Sequence, residues 1–274
     1  MHRFVARARG ELTGDAAWTG RVLSVHPRAL NILRADGLAV SVVADRSSMS
    51  AMGVLVTDLF GIPPDRGLVD MAVRMEDTVM TIGNLASIDC ADCPAWEGRV
   101  DTAAVRMMPV HLIQAVRESL FIHGTPDGLL GILGTGPPEN SFVTHGRKSL
   151  EAGKPEELVG CGPGLTPAGD DFLMGTILAS GELACPDGAR LERVLPGTTP
   201  PGRTLLWMAL QGRFPAYLVD FIDITTGTEV SAEAIGNAVR AACAHGETSG
   251  TDALAGFCWQ KGALLMAICG IINI

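Results

Sequence analysis

One pattern occurs twice in this chain, and it restricts the fold more than any other feature. Gly169, Asp171, Leu173 and Gly175 follow the order Gly-x-Asp-x-Leu-x-Gly, and so do Gly250, Asp252, Leu254 and Gly256. A threonine precedes each copy, Thr166 in the first and Thr248 in the second. In the first, Thr166 is a favoured N-cap and Pro167 a favoured first helical residue, so a helix is expected to begin there. The spacing predicts two helices that pack closely through Gly175 and Gly256 and aim their N-termini at one shared pocket.

Helix starts of this kind leave amides without internal partners and present the positive end of the macrodipole, which suits an anion. The expected anion-binding residues are Gly162, Gly164, Thr166 and Gly169 in the first loop, and Thr248, Ser249, Gly250 and Thr251 in the second. Asp170, Asp171 and Asp252 are the candidate catalytic acids, with His245 as a further acid–base group just before the second loop. Asp near a helix start is also ordinary, because the dipole alone favours it by about 0.3–1 kcal/mol. The repetition is what favours function. Adjacent Asp170 and Asp171 repel each other, which a metal ion, a basic partner or a bound proton would relieve. Mg²⁺ held by Asp170 and Asp171 is the one cofactor the acids suggest. No Gly-Lys-Ser/Thr follows the glycines, which argues against a Walker-type nucleotide site.

Other residues are weaker candidates. Arg203 and Arg213 flank a predicted helix and can clamp a carboxylate or phosphate, with Thr198 and Thr199 adding hydroxyls. A solvated helix face explains the same arginines equally well. Cys90 and Cys93 form half of a zinc pattern with no second half, and read as two chance thiols. Cys161 lies in the first loop without a matched base, and His111, His123 and His145 are isolated.

Around this core the chain reads as α+β. Residues 1–102 form a β-rich part, an antiparallel sheet or partial barrel, with short runs at 21–26, 31–33, 38–43, 54–58, 68–75 and 78–82. Ala35-Asp36-Gly37, Gly61-Ile62-Pro63-Pro64 and Glu76-Asp77 are its turn signals, the first a hairpin candidate. Residues 103–274 form a mainly helical part. Helices are expected over 103–123 (broken or begun at Pro109), 141–152, 167–184, 202–211, 231–245 and 251–268, and the Gly/Pro-rich stretch 124–138 is a candidate lid.

Charge narrows the partners. The net charge is −9, with no basic stripe, so nucleic acid is not expected. The first ten residues carry three arginines without an apolar run behind them, and the apolar tail 262–274 is too short to span a bilayer. Seven cysteines at irregular spacing suit reduced thiols. A cytoplasmic protein without membrane partners is the expectation.

The two loops also carry a resemblance. Gly162-Pro163-Gly164-Leu165-Thr166-Pro167-Ala168-Gly169-Asp170-Asp171-Phe172-Leu173 and Thr248-Ser249-Gly250-Thr251-Asp252-Ala253-Leu254-Ala255-Gly256 resemble the motifs of the family that includes the H subunit of oxamate carbamoyltransferase, an AllH-like family of anaerobic allantoin degradation. The order and spacing extend from about Arg21 to Gly262. Where that family carries Ser-Arg between the motifs, this chain has Gly202-Arg203; where it often has Gly-His, this chain has Gly246-Glu247 after His245. The resemblance implies a subunit of a carbamoyl-transferring enzyme made of several different subunits. Its reaction interconverts oxalurate and phosphate with oxamate and carbamoyl phosphate. Arg203 would then hold the second anion. Two alternatives use the same residues: a Mg²⁺- or Mn²⁺-dependent hydrolase of a small amide, and a non-catalytic subunit that binds a small anion.

Overall fold

The computed structural model describes residues 1–14, 16–57, 66–136, 140–181, 188–228 and 230–268. Parts of several expected features lie outside the described residues: the turn at 61–64, the end of the strand at 58, positions 137–138 of the lid candidate, the helix end at 182–184, and 269–274 of the tail. The chain divides into two compact units, Met1–Gly98 and Arg99–Ile274.

The first unit is a single curled, mixed sheet. Its strands are β1 (His2–Val5), β2 (Ala8–Gly10), β3 (Trp18–His26), β4 (Ala29–Arg34), β5 (Ala39–Val43), β6 (Gly53–Leu55), β7 (Ala72–Glu76), β8 (Val79–Ile82), β9 (Ala86–Asp89) and β10 (Ala95–Trp96). Their spatial order is β1-β9-β8-β7-β3-β4-β5-β6-β2-β10. The middle is an antiparallel meander, while β1–β9, β5–β6 and β2–β10 pair in parallel. β1 and β2 are separated by only two residues, and those two bind opposite ends of the sheet. Ala6 N–H donates to the Asp89 carbonyl and Arg7 N–H to the Leu55 carbonyl, each at 2.8 Å. One short segment thus ties the two ends of the sheet together, which removes most of its free edge.

Local chemistry explains the hairpins. Gly37 adopts φ 85°, and the Asp36 carboxylate accepts from Leu38 N–H at 3.2 Å, so Ala35-Asp36-Gly37 closes β4 onto β5 as expected. Asp77, at φ 53°, turns β7 into β8. Inward positions are filled by Val22, Ile32, Val40, Val42, Met75, Met80, Ile82 and Ile88, all buried. The expected run 68–75 becomes a strand only from Ala72, since Arg66–Leu68 is a 3₁₀ turn. β1, β2, β9 and β10 were not expected, and they supply all the parallel pairing except that of β5 with β6.

The second unit is helical: α1 (Thr102–Arg106), α2 (Val110–His123), α3 (Ser141–Glu151), α4 (Ala168–Ser180), α5 (Gly188–Val194), α6 (Pro200–Leu210), α7 (Ala216–Thr225), α8 (Ala232–Cys243) and α9 (Ser249–Ile268). Asp101 caps α1 by accepting from Ala103 and Ala104 N–H, and Pro109 begins α2, so the expected 103–123 helix is two. Almost every residue of α4 is buried, on all faces, the mark of a central helix rather than an amphipathic surface one. It packs on α9 and α6, while α9 also meets α2 and α8. Phe172, Leu173, Leu218, Phe221, Leu254 and Phe257 fill the space between them. Each such side chain contributes roughly 1.5–3 kcal/mol on burial.

Candidate functional site

The two helices that carry the repeated pattern approach each other closely. A Cβ on Gly175 would lie 1.8 Å from the Ala253 carbonyl oxygen, and one on Gly256 would lie 1.9 Å from the Phe172 carbonyl oxygen. The two backbones therefore touch at reciprocal points, and no residue larger than glycine fits either. This crossing brings the helix starts together. Thr166 Oγ1, just before α4, and Ser249 Oγ, the first residue of α9, are 3.2 Å apart.

Below these hydroxyls lie the acids. Asp171 is 2% exposed and Asp252 fully buried, and they interact electrostatically. Burial, then the charge of Asp252, pushes the Asp171 carboxyl well above the usual carboxylate range, against the opposing bond from Ser249 and a lesser one from Thr166. Burial raises Asp252 to about 7, although it accepts from Leu129 N–H at 2.6 Å and from the Thr248 hydroxyl. After these bonds, Oδ2 of Asp171 and Oδ2 of Asp252 remain buried without a partner. Such orphaned acceptors are costly in a protein interior and call for a physical account.

Tyr217 of α7 completes the cluster. Burial, then the charges of Asp171 and Asp252, holds its phenol well above its ordinary pKa, so it stays protonated. Its ring stacks on His245, with centroids 4.1 Å apart and planes at 14°. Burial lowers His245 to about 4, so this imidazole is neutral at neutral pH. Sequence reasoning missed Tyr217 because α7, rich in β-branched and aromatic residues, gives no clear helical signal. A signal did exist: it is the chain's one tyrosine.

Asp170 points elsewhere. Its carboxylate accepts from Gly160 N–H at 2.8 Å and from the Thr198 hydroxyl, which joins the first loop to the start of α6. Burial nevertheless raises its pKa. The repulsion expected between Asp170 and Asp171 is thus met by donors on Asp170 and by the raised pKa of Asp171. For Mg²⁺ at Asp170 and Asp171 the donor set is a poor fit, since both Asp170 oxygens are engaged. Among the described residues no group of three or more His, Cys, Asp or Glu side chains could hold a metal ion.

Several of the expected ligands have bonds and close contacts within the fold. Gly169 N–H donates to the Cys161 carbonyl at 2.8 Å and Gly250 N–H to the His245 carbonyl at 3.1 Å, so these amides are engaged. A Cβ at Gly169 would lie 1.9 Å from Leu158 O, and one at Gly250 would lie 1.8 Å from Ala242 O, which accounts for both glycines by packing. Pro167, not Thr166, occupies the N-cap of α4, with no side-chain cap bond. Thr251 is buried and accepts from Thr125 N–H at 3.1 Å. Arg203 Nη2 reaches the Pro196 carbonyl at 3.5 Å, and its Nε is buried without a partner. The Thr199 hydroxyl donates to Leu165 O and caps α6 by accepting from Gly202 N–H, so neither Thr198 nor Thr199 is held for an anion. Burial raises the Cys161 thiol, contrary to a helix-activated nucleophile. Gly162, at φ 115°, and Gly164, at φ 98°, shape the exposed part of the first loop, and open space surrounds Gly164.

The stretch 124–136 is fastened rather than free. Leu129 N–H and Thr125 N–H bind the start of α9, and Arg147 of α3 donates to the carbonyls of Gly131, Gly134 and Gly136 at 2.5–2.7 Å. A Cβ on Gly128 would lie 2.2 Å from Asp252 Oδ1, so only glycine lets this wall settle over the acid. Gly202 does the same over Asp170, at 2.1 Å from Oδ2. Sequence reasoning gave neither glycine this role.

The arrangement defines a helical unit with a buried acid pair and a phenol beneath the joined starts of two helices. Residues 158–260, which contain both loops, α4, Tyr217 and most of α9, match the model of the family described as oxamate carbamoyltransferase subunit AllH. The family resemblance of the two motifs is thereby shown for this segment, a narrower one than Arg21 to Gly262. No curated protein and no solved structure gives a significant match. No helix among the described residues is long and apolar enough to cross a membrane.

Proposed function

We propose that this chain is a subunit of a carbamoyl-transferring enzyme acting on a small carboxylate such as oxamate or oxalurate. Phosphate or carbamoyl phosphate binds where α4 and α9 begin. The observation that carries this reading is the 3.2 Å contact between Thr166 Oγ1 and Ser249 Oγ, which joins two helix starts inside the segment that matches the family. The remaining anion ligands are the loop amides at Gly162 and Gly164, while the hydroxyls of Thr166, Thr248 and Ser249 bond to the acids beside them. Two helix dipoles favour negative charge there. Burial shifts both acids toward their neutral forms, which weakens their repulsion of an anion.

In the forward direction the amide nitrogen of oxamate attacks the carbonyl carbon of carbamoyl phosphate. A C–N bond forms, the C–O bond to phosphate breaks, and the proton lost from nitrogen leaves with phosphate. With both partners held, the chain would lower the barrier by positioning and charge stabilisation. Asp252, near neutrality, is suited to pass that proton.

Calorimetry on the full chain with carbamoyl phosphate and with phosphate tests the reading. Binding is expected for both, with affinity lowered about tenfold in Thr166→Ala and Ser249→Ala. Absence of binding, or binding indifferent to both substitutions, defeats it. Binding without turnover after all partner subunits are added would favour a purely anion-binding subunit.

A further inference from the structure

We infer that the unpartnered Oδ2 atoms of Asp171 and Asp252 are the acceptors for the NH₂ end of the substrate, each taking one N–H of a primary amide or carbamoyl group. This rests on the carbamoyl-transfer reading and adds what selects the substrate. The two atoms lie on separate helices, α4 and α9, and both side chains are buried, at 2% and 0% exposure. Oδ1 of Asp252 accepts from Leu129 N–H, and hydroxyls also bond to the two acids, that of Thr248 to Asp252 and those of Ser249 and Thr166 to Asp171. What remains is a pair of acceptors with no donor.

The chemistry narrows the ligand. A carboxylate or phosphate brings only more acceptors, so it cannot satisfy these atoms; it belongs at the loop amides above. A planar NH₂ group brings two N–H donors and no charge, one for each carboxyl. With Oδ1 of Asp252 already accepting from Leu129 N–H, a retained proton sits on Oδ2, so Oδ2 accepts an N–H only when the acid is ionised. Tyr217, held as a phenol, is a donor beside the pair and complements the carbonyl oxygen of the same amide. Leaving such buried acceptors empty is penalised, which is how a polar site rejects an analogue that lacks the N–H groups.

The test compares oxamate with oxalate, which keeps the carboxylate and lacks the NH₂, by calorimetry on the full chain. Oxamate is expected to bind at least about tenfold more tightly. In Asp252→Asn the amide oxygen still serves Leu129 N–H, while an NH₂ donor replaces the free Oδ2, so the preference is expected to vanish. A melting curve at or above the parent's confirms that the variant is folded, and Asp171→Asn provides an independent second case. Oxalate bound as tightly as oxamate, or a preference retained by both folded variants, overturns the inference and leaves the carbamoyl-phosphate site intact. Ammonium chloride competing with oxamate would also overturn it, in favour of a cation site. If carbamoyl phosphate and oxamate both fail to bind, the underlying reading falls with it.

Discussion

At the scale of single residues, the acid pair ties stability to pH. The folded-state pKa of Asp252, about 7, lies above its ordinary 3.8, so folding favours the protonated acid. That contribution is complete below about pH 4 and is lost as pH rises through 7. Its full size is about 4 kcal/mol. Asp252→Asn, which stays neutral throughout, is therefore expected to melt above the parent at pH 8 by a margin that shrinks toward pH 5. A margin that is constant over this interval would show that Asp252 does not keep its proton. The lone tyrosine gives a second test at this scale. Phenolate absorbance reports on Tyr217 alone, and it is expected to stay silent past the ordinary phenol range until the fold melts; titration near its ordinary value of 10 would place the ring away from the acids.

At the scale of elements, the crossing of α4 and α9 is the joint on which the site hangs. Gly175→Ala and Gly256→Ala must each separate two backbones already in contact, and overpacking of this kind costs about 1–3 kcal/mol, more where backbone must move. Gly262→Ala, on the same helix α9 with nothing within 4 Å, is the control; it is expected to be neutral or to stabilise by up to about 1 kcal/mol. Thermal unfolding of the three variants checks this, and equal effects would mean that helix propensity rather than close approach governs these glycines. The joint was legible in the sequence, because glycine at matched positions of two apolar helices has few other uses. The function of its neighbours was not. Gly169 and Gly250 look identical to ligand-approaching glycines until Leu158 and Ala242 are seen against them. Likewise Thr198 and Thr199 read as anion ligands only while their partners, Asp170 and Leu165, stand far off in sequence.

At the scale of the whole molecule, the α+β composition could be read because alternation and helical periodicity are local properties. What could not be read was pairing between distant segments. The central meander followed from turns such as Ala35-Asp36-Gly37, whereas β1, β2 and β10 are short strands whose partners lie far away in the chain, and β9 has one such partner in β1. Tyr217 escaped for the same reason. Its helix carries an ambiguous pattern, and only the fold brings it beside acids on α4 and α9.

The two-residue gap between β1 and β2 has a consequence for synthesis. Residues 2–10 are made before β9 and β10, which they need as neighbours and which are among the last parts of the unit to be made. β2 can pair with β6 earlier, but until β9 is made β1 waits and that margin of the growing sheet stays bare. Closure of the unit is therefore a late and non-local event, and non-local closure is slow. During that interval the nascent chain is exposed to stray pairing with other strands.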